Sequence, residues 1–393
     1  MQAVRQAIGI LAGCAAILSS HTAAAEPASG TTRFILDGNR VYAELDFLRP
    51  DGSVHRALAF VDMGAPDMTV NEALHEDLHL GADQPLAFKV GGLTVRVPAS
   101  SVQQTHGRPQ GLAGESVEAT LPASVLQTYQ VVIDYRARRL TLARPGVLKP
   151  VGVATPFRIN EATGIISVDA IIDGSRYALT IDNGSAWTWL RQDAVRDWES
   201  RHPTWAHGVG AVGASNMMMV GDLEATGLLA RVPTMAVGAV SLTSVDVLGP
   251  GPTTAFPFEL FDWYSRKNAR PVLGWLGGNV LKRYRLTIDY PHRELYWLAE
   301  SPPDRHELDQ VGVTLRRRGA DYLIAAVARR NDCLSVPAAR VGDKLLAVDG
   351  MALKDASWGA IFTALHGRPG ERRTLTVERD GQVMRIAAAV TAF

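Results

Sequence analysis

The chain of 393 residues contains only two cysteines, Cys14 and Cys333. A mature chain trimmed at its N-terminus therefore has no internal disulfide, and its stability has to come from buried apolar surface, which is ample at this length. Cys333 stands without a histidine signature and reads as a small buried residue rather than a nucleophile. An excess of charge is also lacking: 40 Lys and Arg stand against 40 Asp and Glu. No basic tract interleaved with aromatics is present, so the usual footprint of nucleic-acid binding is missing. Past the N-terminus no apolar run is long enough to cross a bilayer. With 47% hydrophobic and 20% charged residues the composition is that of an ordinary globular protein, not a disordered one. The length predicts two to four domains of roughly 100–200 residues each.

Residues 1–25 carry the pattern of an export signal. Arg5 supplies a positive start, Ala7 to Leu18 an apolar run too short for a membrane span, and Ala23-Ala24-Ala25 a small-residue cleavage site before Glu26. This predicts a periplasmic or secreted protein. A second reading stays open, because Leu11-Ala12-Gly13-Cys14 is similar to a lipobox. Lipidation of Cys14 would give a membrane-anchored lipoprotein, and only then does a membrane become a partner.

What the chain does have is a stretch that occurs twice. Ala59-Phe60-Val61-Asp62-Met63-Gly64-Ala65-Pro66 is repeated as Leu179-Thr180-Ile181-Asp182-Asn183-Gly184-Ser185-Ala186. In each copy an apolar β-forming run delivers one aspartate and then a glycine, which permits a tight reversal and close approach of another chain. The triplet alone is weak, since plain Asp-Gly turns occur at Asp51-Gly52, Asp173-Gly174 and Asp380-Gly381. The repeat extends further, however. Tyr129-Gln130-Val131-Val132-Ile133-Asp134-Tyr135 follows the first copy, and Tyr284-Arg285-Leu286-Thr287-Ile288-Asp289-Tyr290 follows the second. The same ordered pair of motifs, twice, predicts two related lobes.

Over roughly residues 34–299 these stretches resemble the two lobes of a retropepsin-like or pepsin-like aspartic peptidase, in the bacterial form with both lobes in one chain. The resemblance implies a mainly β fold of two barrel-like lobes, 31–146 and 155–299, separated by the Pro- and Gly-containing stretch from Pro145 to Pro156. It implies Asp62 and Asp182 as the catalytic pair, with Gly64, Ala65, Gly184, Ser185 and Gly274 supporting the two loops. Val272-Leu273-Gly274 matches the family's later apolar-apolar-Gly element, and Gly111-Leu112-Ala113-Gly114 is its poorer first-lobe counterpart. The hairpin Lys89 to Val97, with Gly91-Gly92 at its turn, falls where the family has a flap. The sequence departs from the family at Met63 and Asn183, where a Thr or Ser normally bonds across to the opposite lobe. Met has only a weak acceptor sulfur, and an amide has a different reach. The asparagine and methionine therefore leave a second function open, a non-catalytic relative that binds peptides in the same cleft.

Two carboxylates a few ångströms apart cannot both ionise cheaply, so the pair shares a proton, and the resemblance implies a water activated by it. No metal or organic cofactor is required for that chemistry. A third reading comes from His75-Glu76-Asp77-Leu78-His79 in the helix predicted over Asn71 to Leu80. It matches HExxH, in which two His one turn apart hold zinc and Glu acts as base. The helix is equally the short surface helix that follows the first catalytic loop in this fold, with a counterpart at Arg191 to Glu199.

Gly208 to Gly213 with Met217, Met218 and Met219 reads as a mobile flap or as core. Phe256, Phe258, Phe261, Trp263 and Tyr264 read as groove lining or as packing. After Pro302-Pro303, residues 306–393 resemble a PDZ domain through Val336-Pro337-Ala338-Ala339-Arg340-Val341-Gly342-Asp343, the strand Lys344 to Val348, and Asp349-Gly350. A helix is expected at Trp358 to Leu365 and strands at Arg372 to Arg379 and Val383 to Val390. A peptide would add to the sheet edge at Tyr322, Leu323 and Ile324. The expected partners are a peptide or protein substrate in the cleft and a peptide at this last domain.

Overall fold

The computed structural model describes residues 26–81, 83–105, 112, 116–210, 222–252, 259–330, 333–354 and 356–393. Residues 1–25 with Cys14, the triplet Met217, Met218 and Met219, Phe256, Phe258 and the glycines of Gly111-Leu112-Ala113-Gly114 lie outside them. The fold is mainly β, as expected.

Each half delivers its aspartate in the same way. In the first, Arg40–Leu48 and Val54–Asp62 pair antiparallel, with Val41, Ala43, Leu45 and Phe47 facing inward and fully buried. The alternation along Arg40–Leu48 is that of a strand with one face on a core. Val54–Asp62 then takes a parallel partner, Val117–Pro122, from 63 residues downstream of its start, with Asp62 opposite Pro122. In the second half Ser175–Ile181 pairs antiparallel with Ile166–Ile172 and parallel with Gly274–Leu276. Short helices, Ala123–Leu126 and Gly278–Leu281, follow the two parallel partners.

The registers locate the first half's support element. Ala59 lies opposite Ala119, and Leu179 lies opposite Gly274. Ala119, rather than the Gly111–Gly114 stretch, is therefore the counterpart of Gly274. Glycine is needed only in the second half, where a Cβ on Gly274 would run into the Trp189 carbonyl.

The second repeated motif forms the seam between the halves. Gln130–Asp134 and Tyr284–Asp289 pair antiparallel with each other, Asp134 opposite Arg285 and Gln130 opposite Asp289. Arg139–Ala143 and then Ser29–Asp37 extend this sheet on one side, Glu294–Ala299 and then Val153–Ile159 on the other. Asp134 receives the Ala137 N–H, and Asp289 receives Gln130 Nε2, so both act at turns and in the seam.

From Val313 on, Arg329–Arg330 joins the large sheet beside His207–Val209, while a separate sheet runs in the order Val313–Arg318, Asp321–Val327, Lys344–Val348, Arg372–Arg379, Gln382–Ala389. It has its own core, with the helix Trp358–Leu365 contributing Trp358, Ile361 and Leu365. Three expectations are overturned. The hairpin Leu86–Val90 and Leu93–Val97 is no flap: Leu86, Phe88, Val90, Leu93, Val95 and Val97 are all buried in the common core, and its first strand pairs with Arg40–Leu48. Cys333 is exposed instead of buried. Asp321–Val327 is an inner strand, considered below.

Candidate active site

Asp62 and Asp182 meet at the ends of their strands, and their carboxyl groups are within hydrogen-bonding reach of one another. Asp182 is 3% exposed, whereas Asp62 keeps partial contact with solvent. Each glycine lies under the opposite carboxyl: a Cβ on Gly64 would collide with Asp182, and one on Gly184 with Asp62. This close approach is why both loops have glycine two residues past the aspartate.

The N–H groups of the loops aim at the carboxylates. Gly64 N–H donates to Asp62 Oδ1 at 2.8 Å. Asp182 Oδ1 receives Gly184 N–H at 2.9 Å and Ser185 N–H at 3.1 Å. The Ser185 hydroxyl donates elsewhere, to the Trp187 carbonyl at 2.7 Å. Ala65 acts through its backbone, its carbonyl accepting Ala123 N–H at 3.0 Å. Gly274 admits the parallel strand, from which the Leu276 carbonyl accepts Asp182 N–H at 3.0 Å. Gly64, Ala65, Gly184 and Ser185 thus lie in the two loops at the pair, and Gly274 lies in the strand beside the second loop, opposite Leu179.

The bracing is altered in kind. Asn183, fully buried, donates from Nδ2 to the Val61 carbonyl at 2.8 Å and accepts Met63 N–H on Oδ1 at 2.9 Å. One amide thereby ties both backbone groups flanking Asp62, giving one hydrogen bond and taking one. Met63 makes no such bond and fills the core, fully buried.

Residues the sequence did not single out complete the brace. The first half's hairpin turn grips the second loop: Arg40 Nε donates to the Gly184 carbonyl and Asn39 Nδ2 to the Ala186 carbonyl, each at 3.1 Å. Lys282 Nζ holds Asn39 Oδ1 at 2.9 Å. Tyr264, on the helix Leu260–Lys267, brings its hydroxyl to 2.8 Å from Asp182 Oδ2 and 3.1 Å from the Gly64 carbonyl. Only Tyr264 lay within a stretch marked for function, the aromatic segment, and nothing in that segment separated it from its packing neighbours.

Burial pushes both aspartates above the ordinary carboxylate range. For Asp62 the charge of Asp182 adds to burial, and the Gly64 N–H opposes it. For Asp182, burial is opposed by the hydrogen bonds from Tyr264, Ser185 and Gly184. The contact between the two carboxyls raises Asp62 and lowers Asp182. More donors are aimed at Asp182 than at Asp62, which favours the anion at Asp182 within a pair that shares one proton. Arg40 is buried nearby, which lowers its pKa, and Tyr42, Asp37, Glu224 and Asp62 act against that fall.

The HExxH match does not form a metal site. The helix is Glu72–Asp77, capped by Asn71, and ends before the second histidine. His79 has φ +51° and its Nδ1 meets the Glu76 carbonyl at 2.7 Å, so His75 and His79 do not share a helical face. Among the described residues no group of three His, Cys, Asp or Glu is placed to hold a metal.

The predicted peptide-binding strand is corrected as well. Asp321–Val327 pairs with Val313–Arg318 on one side and, at Leu323 with Lys344, on the other. Ile324 N–H and carbonyl are taken by Asp343 and Gly342. Tyr322 and Ile324 point into the core of their own unit. An added strand needs an open sheet edge, and Asp321–Val327 has a neighbouring strand on both sides.

No family model matches the chain. Among solved structures, the chain is similar to an aspartic proteinase from Irpex lacteus, with 13% identity and a TM-score of 0.40, over 70% of this chain and 98% of that one.

Proposed function

We propose that the chain is an aspartic-type endopeptidase that hydrolyses peptide bonds with a water activated by Asp62 and Asp182. The observation that carries this reading is the juxtaposition of two carboxyls, Asp182 buried and Asp62 half-buried, each seated on the other loop's glycine and displaced upward in pKa. Such a pair holds one proton over a pH window in which each member alone would be ionised. Anionic Asp182 takes a proton from water as the water oxygen bonds to the peptide carbonyl carbon. Asp62, still protonated, donates a hydrogen bond to the carbonyl oxygen as it gains charge. The C–N bond then breaks as Asp182 returns its proton to the leaving nitrogen. The two titrations are coupled, so a pH profile reports values of the pair.

Residues 306–393 belong to this proposal as a PDZ-like unit that braces the second loop. Its helix N-terminus is capped from the first half: Asp37 accepts Gly359 N–H at 2.9 Å and bonds the Ser357 hydroxyl. Trp358 lies under Arg40, 5.1 Å from guanidinium to ring centre, and Arg40 reaches the Gly184 carbonyl. We further propose export through residues 1–25; a mature N-terminus at Glu26 is expected, and one at a lipidated Cys14 would mean an anchored protein.

The test is cleavage of a mixed peptide library from acid to neutral pH by the full mature chain beside Asp182→Asn. Cleavage lost in the variant is expected. A folded wild-type chain that binds peptides without cutting them would overturn hydrolysis and leave a peptide-binding cleft.

A further inference from the structure

Tyr264 is joined to the aspartate pair from 82 residues along the chain, and its hydroxyl lies between an atom of each loop. It is buried, its ring packed on Trp275 at 4.6 Å between centres. The phenol has one proton and two acceptors within reach, Asp182 Oδ2 and the Gly64 carbonyl. When Asp182 is anionic, the stronger, charge-assisted bond takes the proton. When Asp182 is protonated, the carboxyl donates to the phenol oxygen and the phenol turns its proton to Gly64. The hydroxyl is satisfied in either case, with no heavy atom moving.

We infer that Tyr264 is a positioning residue that holds Asp182 as the anionic member of the pair, leaves the shared proton on Asp62, and re-pairs with the Gly64 carbonyl when Asp182 takes a proton. This rests on the hydrolytic reading for its catalytic meaning, though the hydrogen bond itself does not. The other titratable or charged groups facing Asp182 do not replace the phenol. Asp62 is its partner in the pair, and Tyr135 has no hydrogen-bond partner for its buried hydroxyl among the described residues and is itself raised, by burial and then by Asp182. Arg40 spends its Nε on the Gly184 carbonyl. Burial, then the charges of Asp182 and Asp62, raise Tyr264 far above the ordinary phenol range, so it stays a donor throughout.

The test is Tyr264→Phe in the full chain, which keeps the ring and its packing and removes only the hydroxyl. Two readouts are taken. The first is the pH dependence of kcat/KM on a cleaved peptide. The second is carboxyl ¹³C titration of Asp182 in an Asp62→Asn background, which needs no turnover. A hydrogen bond to a charged group is worth about one pH unit or more. The acid limb and the Asp182 titration are therefore expected to move upward by about one unit, with KM changed less than kcat at low pH. A purely structural role would leave both midpoints in place. An unmoved titration overturns the inference even if the wild-type chain cleaves peptides. A moved titration in a chain that cleaves nothing upholds Tyr264 and overturns the hydrolytic reading instead.

Discussion

Asn183 carries the bond between the two aspartate loops from one side alone, since the Met63 side chain opposite it makes none. Replacing it by Ala leaves the Val61 carbonyl and the Met63 N–H buried without partners, at about 1–3 kcal/mol each. Denaturant unfolding of Asn183→Ala is expected to show a loss of about 2–6 kcal/mol, and a loss of a few tenths would contradict the bracing. The aspartates themselves oppose stability at higher pH. A carboxyl whose folded pKa is raised favours the folded state below its unfolded pKa and loses that contribution as pH rises through the folded value. Asp62→Asn removes this loss, so its stability relative to wild type should grow with pH above the carboxylate range; a constant difference would count against a shared proton. Both aspartates were legible in the sequence because a strand-forming run and a glycine flank each of them. Asn183 was legible only as a departure, since the reach of its amide depends on the position of the opposite loop. Tyr264 was not legible, because its partner lies in a different element and its sequence neighbours are also aromatic.

At the scale of elements, two helices form near where they were expected. The one predicted over Asn71 to Leu80 is shorter, Glu72–Asp77 with Asn71 as its cap, and Trp358–Leu365 has the expected bounds. Pairing was harder to read. A parallel partner from far along the chain leaves no local mark, which is why Ala119 was passed over for a glycine-rich stretch. The hairpin over Lys89 to Val97 looked like a flap from its turn, but its alternate apolar residues belong to a core strand pair that begins at Leu86. The HExxH match failed because Asp77 ends the helix. His79→Ala should accordingly leave activity and any bound metal unchanged. At the other end of the chain, His366 closes the helix Trp358–Leu365, its Nδ1 2.6 Å from the Phe362 carbonyl and its ring stacked on Phe362. Burial pulls its pKa down from 6.5 to about 4. The neutral ring is the folded form, so its contribution is present above pH 6.5 and is lost as pH falls toward 4. Thermal unfolding should fall over that window, and His366→Gln should flatten the fall; an equal slope in both would contradict the assignment.

For the whole molecule, the repeated sequence is the repeated structure. The two copies of the second motif pair with each other, Gln130–Asp134 on Tyr284–Asp289, and so join the halves that carry the two aspartates. The C-terminal unit is joined to the same centre. Phe362 meets Trp187 at 6.2 Å edge to face, Thr314 Oγ1 bonds the Gly210 carbonyl at 2.8 Å, and Phe393 packs in the cluster that contains Trp189 and Tyr264. A chain ending at residue 305 should expose Trp187 and its neighbours, unfold at lower temperature and bind an apolar dye; unfolding at the full-length temperature would make the unit a mere appendage. The central claim is that Asp62 and Asp182 form one hydrolytic unit, and the most direct measurement is kcat/KM on a cleaved peptide for Asp62→Asn, Asp182→Asn and the double variant. Groups that act together are not additive, so each single change is expected to cost about as much as both. Cleavage surviving either single change, or losses that simply multiply, would contradict it.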